Sequence, residues 1–320
     1  MSVPRIAVVG CGAFGRNHLR VVRDSDRAQL VAAVDRDAAK AETGAAEFGG
    51  VALTEIAALR GKADAAIVAV PTTLHAEVGC ALMEAGLDVL IEKPIASTVA
   101  EAGRLVATAA AHGRILQVGQ LERFNPAVMA LTQAVRVPLF FEVHRLSVFA
   151  PRSLDVDVVL DLMIHDLDIV LSLVGEEPNE VRAAGIRILS EKVDIANVRL
   201  AFPGGCVANL TASRVSTEKV RKLRLFQPHE YISIDYARQD GMVTAVSEKR
   251  QVSFRPLAAV KREPLAAQLD DFLDAVAGRT APRVDGVAAT RALAVASDIL
   301  VKIEEHARIV NARLQASEQR

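Results

Sequence analysis

Three observations predict an α/β protein built in two parts. Over the first ~120 residues, short apolar strands alternate with helical stretches at the spacing of a doubly wound parallel sheet. A glycine-rich turn lies between the first strand and the first helix. Beyond residue 125 the regular helices give way to successive strand-like runs divided by turn signals, which predicts an α+β part with a mostly antiparallel sheet. A chain of 320 residues suits this division, because single cores seldom grow beyond roughly 250–300 residues. The expected domains are 1–120 and 121–320, with the C-terminal helices free to pack back on the first.

Composition narrows the class. Apolar residues make up 51% and charged residues 24% of the chain, and the mean hydropathy is +0.25, which excludes disordered and collagen-like chains. No apolar run approaches the ~18 residues of a membrane span. The net charge of −1 provides no general attraction for nucleic acid or an anionic membrane. The start runs directly into an apolar strand without a signal-peptide pattern. Cys11, Cys80 and Cys206 are odd in number, widely spaced and free of any CxxC pair. They are expected as buried thiols of a cytoplasmic protein without a metal site.

In the first part, strands are expected at 5–9, 30–35, 65–70, 89–92 and 115–118, with helices at 17–23, 38–48, 74–84 and 99–112. Continuous apolar runs such as Ile67-Val68-Ala69-Val70 suit a sheet covered on both faces. In the second part a helix is expected at 127–135 and a strand at 139–147. A buried helix at 158–174 precedes strands at 181–189, 196–202, 206–214, 223–227 and 231–237. Alanine-rich helices at 265–277 and 286–313 close the chain.

The turn Gly10-Cys11-Gly12-Ala13-Phe14-Gly15 is a GxGxxG that follows a strand and opens a helix. Gly10 permits the tight turn, Gly12 lets a pyrophosphate approach the backbone, and Gly15 allows close helix–strand packing. Asp35 closes the next strand, where a carboxylate accepts bonds from an adenosine ribose and repels a 2′-phosphate. NAD is therefore expected over NADP, with Arg36 beside the adenine. Pro71, Thr72 and His75 follow the third strand at the same sheet edge, and Glu92-Lys93-Pro94 ends the fourth, so Glu92 and Lys93 are expected beside the cofactor as well. His75 is expected either to cap a helix or to meet the nicotinamide ribose. Lys93 can donate to a substrate oxygen, or be a solvated loop lysine.

The helix at 158–174 carries Asp161, His165, Asp168 and Ser172 at i, i+4, i+7 and i+11, one narrow stripe on an apolar rod. Uncompensated burial of such groups costs roughly 2–7 kcal/mol each. The helix therefore either lines a cleft or holds a polar network. Asp161 lies one turn from His165 and can orient the imidazole as a general base. A satisfied structural pair is the alternative.

These features together resemble the Gfo/Idh/MocA oxidoreductases, dehydrogenases of sugars, inositols and nucleotide sugars. The resemblance rests on Gly10–Gly15, Asp35, Glu92-Lys93-Pro94 and Asp161 with His165, and it spans both halves. It implies an N-terminal Rossmann domain, a C-terminal domain with a large open sheet used for homodimers or homotetramers, and a Lys93, Asp161, His165 catalytic set. Met163 stands where many members have glycine, and Thr73 where many have asparagine. A narrower similarity, over 161–174, 194–202, 206–227 and Glu122–Pro126, is to the family's nucleotide-sugar branch. It implies oxidation of the 3-hydroxyl of UDP-N-acetylglucosamine to the 3-keto sugar used for diamino lipid A. A diphosphate needs cations, and Arg123, Arg145 and Arg152, with Asn125, are the expected substrate contacts. The basic run 214–224 is expected either at substrate or on a solvated or intersubunit sheet face. An inositol, polyol or free-sugar dehydrogenase, and a non-catalytic dinucleotide-binding regulator, are the alternative functions.

Overall fold

The computed structural model describes residues 3–149 and 156–318. In chain order the elements are β1 (Arg5–Val9), α1 (Ala13–Arg23), β2 (Gln29–Val34), α2 (Ala38–Phe48), β3 (Val51–Leu53), β4 (Ala65–Val68), α3 (His75–Glu84), β5 (Asp88–Glu92), α4 (Val99–His112) and β6 (Leu116–Gly119). Then follow α5 (Pro126–Ala134), β7 (Phe140–Leu146), α6 (Ile164–Val174), β8 (Glu180–Ile186), β9 (Ile195–Ala201), β10 (Val207–Ser213), β11 (Val220–Gln227), β12 (Glu230–Asp235), β13 (Asp240–Val246), β14 (Val252–Pro256), α7 (Pro264–Gly278) and α8 (Gly286–Glu318). They form two compact units, Met1–Phe124 with Arg262–Arg291, and Asn125–Lys261 with Ala292–Arg320. Residues 262–291, with α7 and the start of α8, belong to the first unit; the sequence reading places them in 121–320 with the C-terminal helices free to pack back on the first.

The first unit is a parallel sheet in the order β3-β2-β1-β4-β5-β6, the doubly wound arrangement expected from the alternating elements. β4 and β5 are buried along their whole length, as strands covered on both faces must be. Leu265, Leu269 and Phe272 of α7 join Ile6, Val8 and Ile67 in one core. Local signals set the helix ends. The Asp37 side chain caps α2, and Thr98 with Glu101 forms a capping box on α4.

The second unit is an eight-stranded sheet in the order β14-β13-β12-β11-β7-β10-β9-β8. All its pairings are antiparallel except β7 with β10. One face buries alternate residues such as Val143, Leu210, Leu223 and Ile232 against α5, α6 and the second part of α8. The opposite face leaves Phe226 and Phe254 exposed. The helix expected at 158–174 is broken in type: Val159–Met163 is a π-helical turn, and only Ile164–Val174 is α-helical. A π turn is wider than an α turn, so the α-helical spacing assumed for Asp161 and His165 does not hold across it. β3, β13 and β14 are elements the sequence reading did not foresee.

Asp194 organises the β8–β9 connection. It is fully buried and accepts bonds from the backbone N–H of Ile188, Leu189 and Ser190 at 2.6–3.0 Å and from Ser190 Oγ at 2.7 Å. Burial alone would raise its pKa, but these donors prevail and lower it from 3.8 to about 2. The unfolded chain thus binds the proton first as pH falls. The stabilisation, about 2 kcal/mol, is complete above pH 4 and is lost on acidification toward pH 2. Asp194→Asn is expected to lower the urea midpoint at neutral pH, and the deficit should shrink as the pH is taken below 4. An equal deficit at all pH values would contradict this account.

Candidate active site

The first unit assembles its polar residues at the carboxyl edge of the parallel sheet, where open α/β sheets bind ligands. Gly10 has φ +96°, and a Cβ there would lie 2.5 Å from the Ala69 carbonyl oxygen. A Cβ on Gly15 would lie 1.7 Å from the Gly10 oxygen, whereas one on Gly12 would meet no protein atom within 4 Å. Gly10 thus makes room for the chain that follows β4 at Ala69, Gly15 lets α1 close on the Gly10 carbonyl, and Gly12 leaves backbone open to a ligand. Ala13 begins α1, whose N-terminus carries free N–H groups and a positive dipole. Phe14 is 43% exposed. Among the described residues, no group of three or more His, Cys, Asp or Glu side chains is placed to hold a metal ion.

Asp35 leaves β2 beside this turn. Its Oδ2 accepts from Cys11 N–H at 2.8 Å and its Oδ1 from Asp37 N–H at 3.0 Å. Arg36 is exposed. Cys11 is a buried thiol, pushed up to about 11 by burial and by Asp35, so it stays neutral. These residues fit a dinucleotide: an open backbone, a helix N-terminus for phosphate charge, and a carboxylate at the next strand end. Pro71 and Thr72 stand where β4 ends, Thr72 in a 3₁₀ turn.

Two expected cofactor contacts are corrected. His75 is 1% exposed, with Nδ1 2.8 Å from the Pro94 oxygen and Nε2 3.0 Å from the Val70 oxygen. Burial lowers its pKa despite the two carbonyls. The ring thus stands between two backbone carbonyls, the Pro94 one on its Nδ1 side. Glu92, 8% exposed, is likewise withdrawn. Its Oε1 lies 2.7 Å from Nε2 of buried His18, and its Oε2 accepts from Lys93 N–H at 3.3 Å. Sequence reading missed His18, which stands three residues beyond the glycine motif but has no local signal pointing to β5. Lys93 is half-buried and precedes a cis peptide to Pro94.

In the second unit, Asp161 lies in the π turn and His165 in the first turn of α6, both half-buried. Next to His165, Asp166 is 1% exposed and receives Arg145 Nε at 2.6 Å and Nη2 at 2.8 Å. Tyr236 Oη donates to the same carboxylate at 3.0 Å, and the guanidinium lies 4.9 Å from the Tyr236 ring centre. Arg145 is thus corrected from an expected substrate contact to a buried bidentate ion pair. Removing one partner of such a pair costs about 3–5 kcal/mol. Asn125 is also corrected: its Oδ1 caps α5 through Ala127 N–H, and its Nδ2 donates to the Tyr236 oxygen at 3.0 Å. Asp168 is buried. Arg123, in the first unit, donates to the Arg283 oxygen at 3.4 Å. Arg152 lies outside the described residues. Of the basic run, Arg214 is a buried structural residue bonded to the Val156 and Val193 oxygens, and Arg224 pairs with Glu142 on the uncovered sheet face.

Known proteins resemble this chain over most of its length. Residues 4–120 match the oxidoreductase family with an NAD-binding Rossmann fold, and residues 138–227 match the Gfo/Idh/MocA C-terminal domain. The chain is 38% identical over 309 residues to UDP-N-acetylglucosamine 3-dehydrogenase of Acidithiobacillus ferrooxidans, covering 94% of this chain and 97% of the relative. A solved structure of that enzyme superposes with a TM-score of 0.90, covering 95% of this chain and 99% of that one. Inositol 2-dehydrogenase of Acidothermus cellulolyticus is 30% identical over 92% of each chain.

The glycine geometry separates binding from folding. Gly12→Ala is expected to leave thermal stability nearly unchanged while weakening NAD binding by about tenfold or more, measured by calorimetry. Gly15→Ala should instead destabilise the first unit, because the added methyl strikes backbone.

Proposed function

The chain belongs to the Gfo/Idh/MocA oxidoreductase family, and on that premise we propose that it is an NAD-dependent dehydrogenase oxidising the 3-hydroxyl of UDP-N-acetylglucosamine. The observation that carries this reading is the 38% identity to an enzyme of that name across 94% of the chain. Asp35 supports NAD, since its carboxylate at the turn would repel a 2′-phosphate.

NAD, when bound, would supply the hydride acceptor for the carbinol carbon. The chain's own residues carry the proton and the charge. His165 removes the hydroxyl proton, with Asp161 orienting the imidazole or the substrate. Lys93 stabilises the oxygen as negative charge develops and then polarises the carbonyl. Gly10, Gly12, Ala13, Phe14 and Gly15 would hold the dinucleotide phosphates and Asp35 the ribose, with Arg36, Pro71 and Thr72 beside them. Arg123 and Arg152 would meet the substrate diphosphate. A second copy of the chain is assigned to the uncovered face of the eight-stranded sheet, where Phe226 lies 5.7 Å from Phe140 and 4.8 Å from Tyr231. Sedimentation of a homodimer or homotetramer checks this assignment.

His165→Ala is expected to cut turnover by ~10² or more with NAD affinity nearly unchanged. Wild-type turnover in that variant would remove His165 from the mechanism. NAD should bind more tightly than NADP, and Asp35→Ser should narrow the gap; equal binding by the unmodified protein contradicts the role of Asp35. UDP should compete with the sugar substrate and not with NAD. If the protein reduces NAD with inositol and neither binds UDP nor turns over the UDP-sugar, the inositol reading favoured by the 30% relative replaces this one.

A further inference from the structure

Lys93 is flanked by two anchor points, the Glu92 carboxylate and the Pro94 carbonyl, and a buried histidine reaches each of them. On its N-terminal side Glu92 is held by His18 Nε2 at 2.7 Å, and the same carboxylate accepts from Lys93 N–H. A carboxylate only accepts, so the Nε2–H form of His18 donates. The carboxylate also lies over Gly119 at the end of β6, where a Cβ would come within 2.7 Å of Glu92 Oε1. On the C-terminal side the Pro94 carbonyl is met by His75 Nδ1 at 2.8 Å. His18 is 2% and His75 1% exposed. The two rings come from α1 and α3, and the ring of Phe14 in the glycine-rich turn contacts His18 edge-on at 5.6 Å. Buried polar groups of this kind cost stability unless they are paired, so their cost is accepted at one three-residue segment, on both sides of one lysine.

We infer that His18 and His75 are positioning residues that clasp Glu92-Lys93-Pro94 from both sides and fix the direction in which Lys93 presents its amine. The inference rests on the catalytic reading of Lys93. Neither histidine touches substrate; each acts through the backbone that carries the lysine. His18 also ties that backbone to the helix that opens at the dinucleotide turn. Misplacing a catalytic group by about 1 Å is enough to cost ~10²-fold in rate.

The test exploits which ring nitrogen each histidine uses. A glutamine amide nitrogen falls near the Nε2 position of histidine, and an asparagine amide nitrogen near Nδ1. His18→Gln and His75→Asn should keep kcat within about threefold of wild type, while His18→Asn and His75→Gln should lose about tenfold or more. NAD affinity should stay within about threefold in all four. Absence of this crossed pattern among folded variants overturns the clasp. Lys93→Ala separates the two claims. If it retains wild-type kcat, the catalytic reading of Lys93 fails. If it is inactive while the four variants are indistinguishable, the clasp alone fails. The unsubstituted protein supplies a check that needs no variant to fold. The Lys93 amide should exchange slowly with deuterated solvent, as a bonded N–H does, and rapid exchange overturns the clasp.

Discussion

The close approach of α1 to the centre of the parallel sheet is the constraint on which the rest of the first unit depends. Helix and strand meet at Gly10 and Gly15, where a single methyl would fall within 1.7–2.5 Å of backbone oxygen. Because that crossing is so tight, the N-terminus of α1 opens at the carboxyl edge of β1, and Asp35 reaches back to bond the same turn. His18, one turn further along the helix from Phe14, is thereby brought onto the end of β5. One packing requirement thus positions both the backbone proposed to meet the dinucleotide phosphates and the segment bearing Lys93.

The second unit is organised by a different means. Its polar centre is the Arg145, Asp166 and Tyr236 cluster, which joins β7, α6 and the end of β12 beneath an apolar layer. Asp166 follows His165 directly, so the cluster also fixes the rotation of the helix that carries the proposed base. A buried bidentate pair suits that task better than apolar packing, because its geometry admits one orientation. The π turn at Val159–Met163 then sets Asp161 on a wider arc than an α-helix would, and such turns occur frequently at functional sites.

What could be read from the sequence follows the range of the interactions. The glycine turn, Asp35 and the alternation of strands and helices are local signals, and the parallel sheet expected from them is the one observed, lacking only β3. β3 has three residues, too few for a period. β14 is exposed along its length and ends in proline, and β13 begins with Asp-Gly, so neither displays a buried alternation. The site was legible only where its chemistry stood in one segment. Arg145 was correctly noticed as a cation but assigned to an anion outside the fold, because the carboxylate it meets lies 21 residues away on another element. Glu92 and His75 were placed at the right sheet edge and assigned the wrong partner for the same reason. Their partners are His18 and a backbone carbonyl, and no spacing rule announces either.

The central claim is transfer of hydrogen from a sugar carbon to the nicotinamide, and isotopic labelling tests it most directly. UDP-N-acetylglucosamine carrying deuterium at C3 would be incubated with NAD and the wild-type protein, and the dinucleotide product examined by mass spectrometry and proton NMR. The account predicts one deuterium at C4 of NADH, in step with formation of the 3-keto sugar. Reduction of NAD without deuterium, or no reduction while inositol is oxidised under the same conditions, would contradict it.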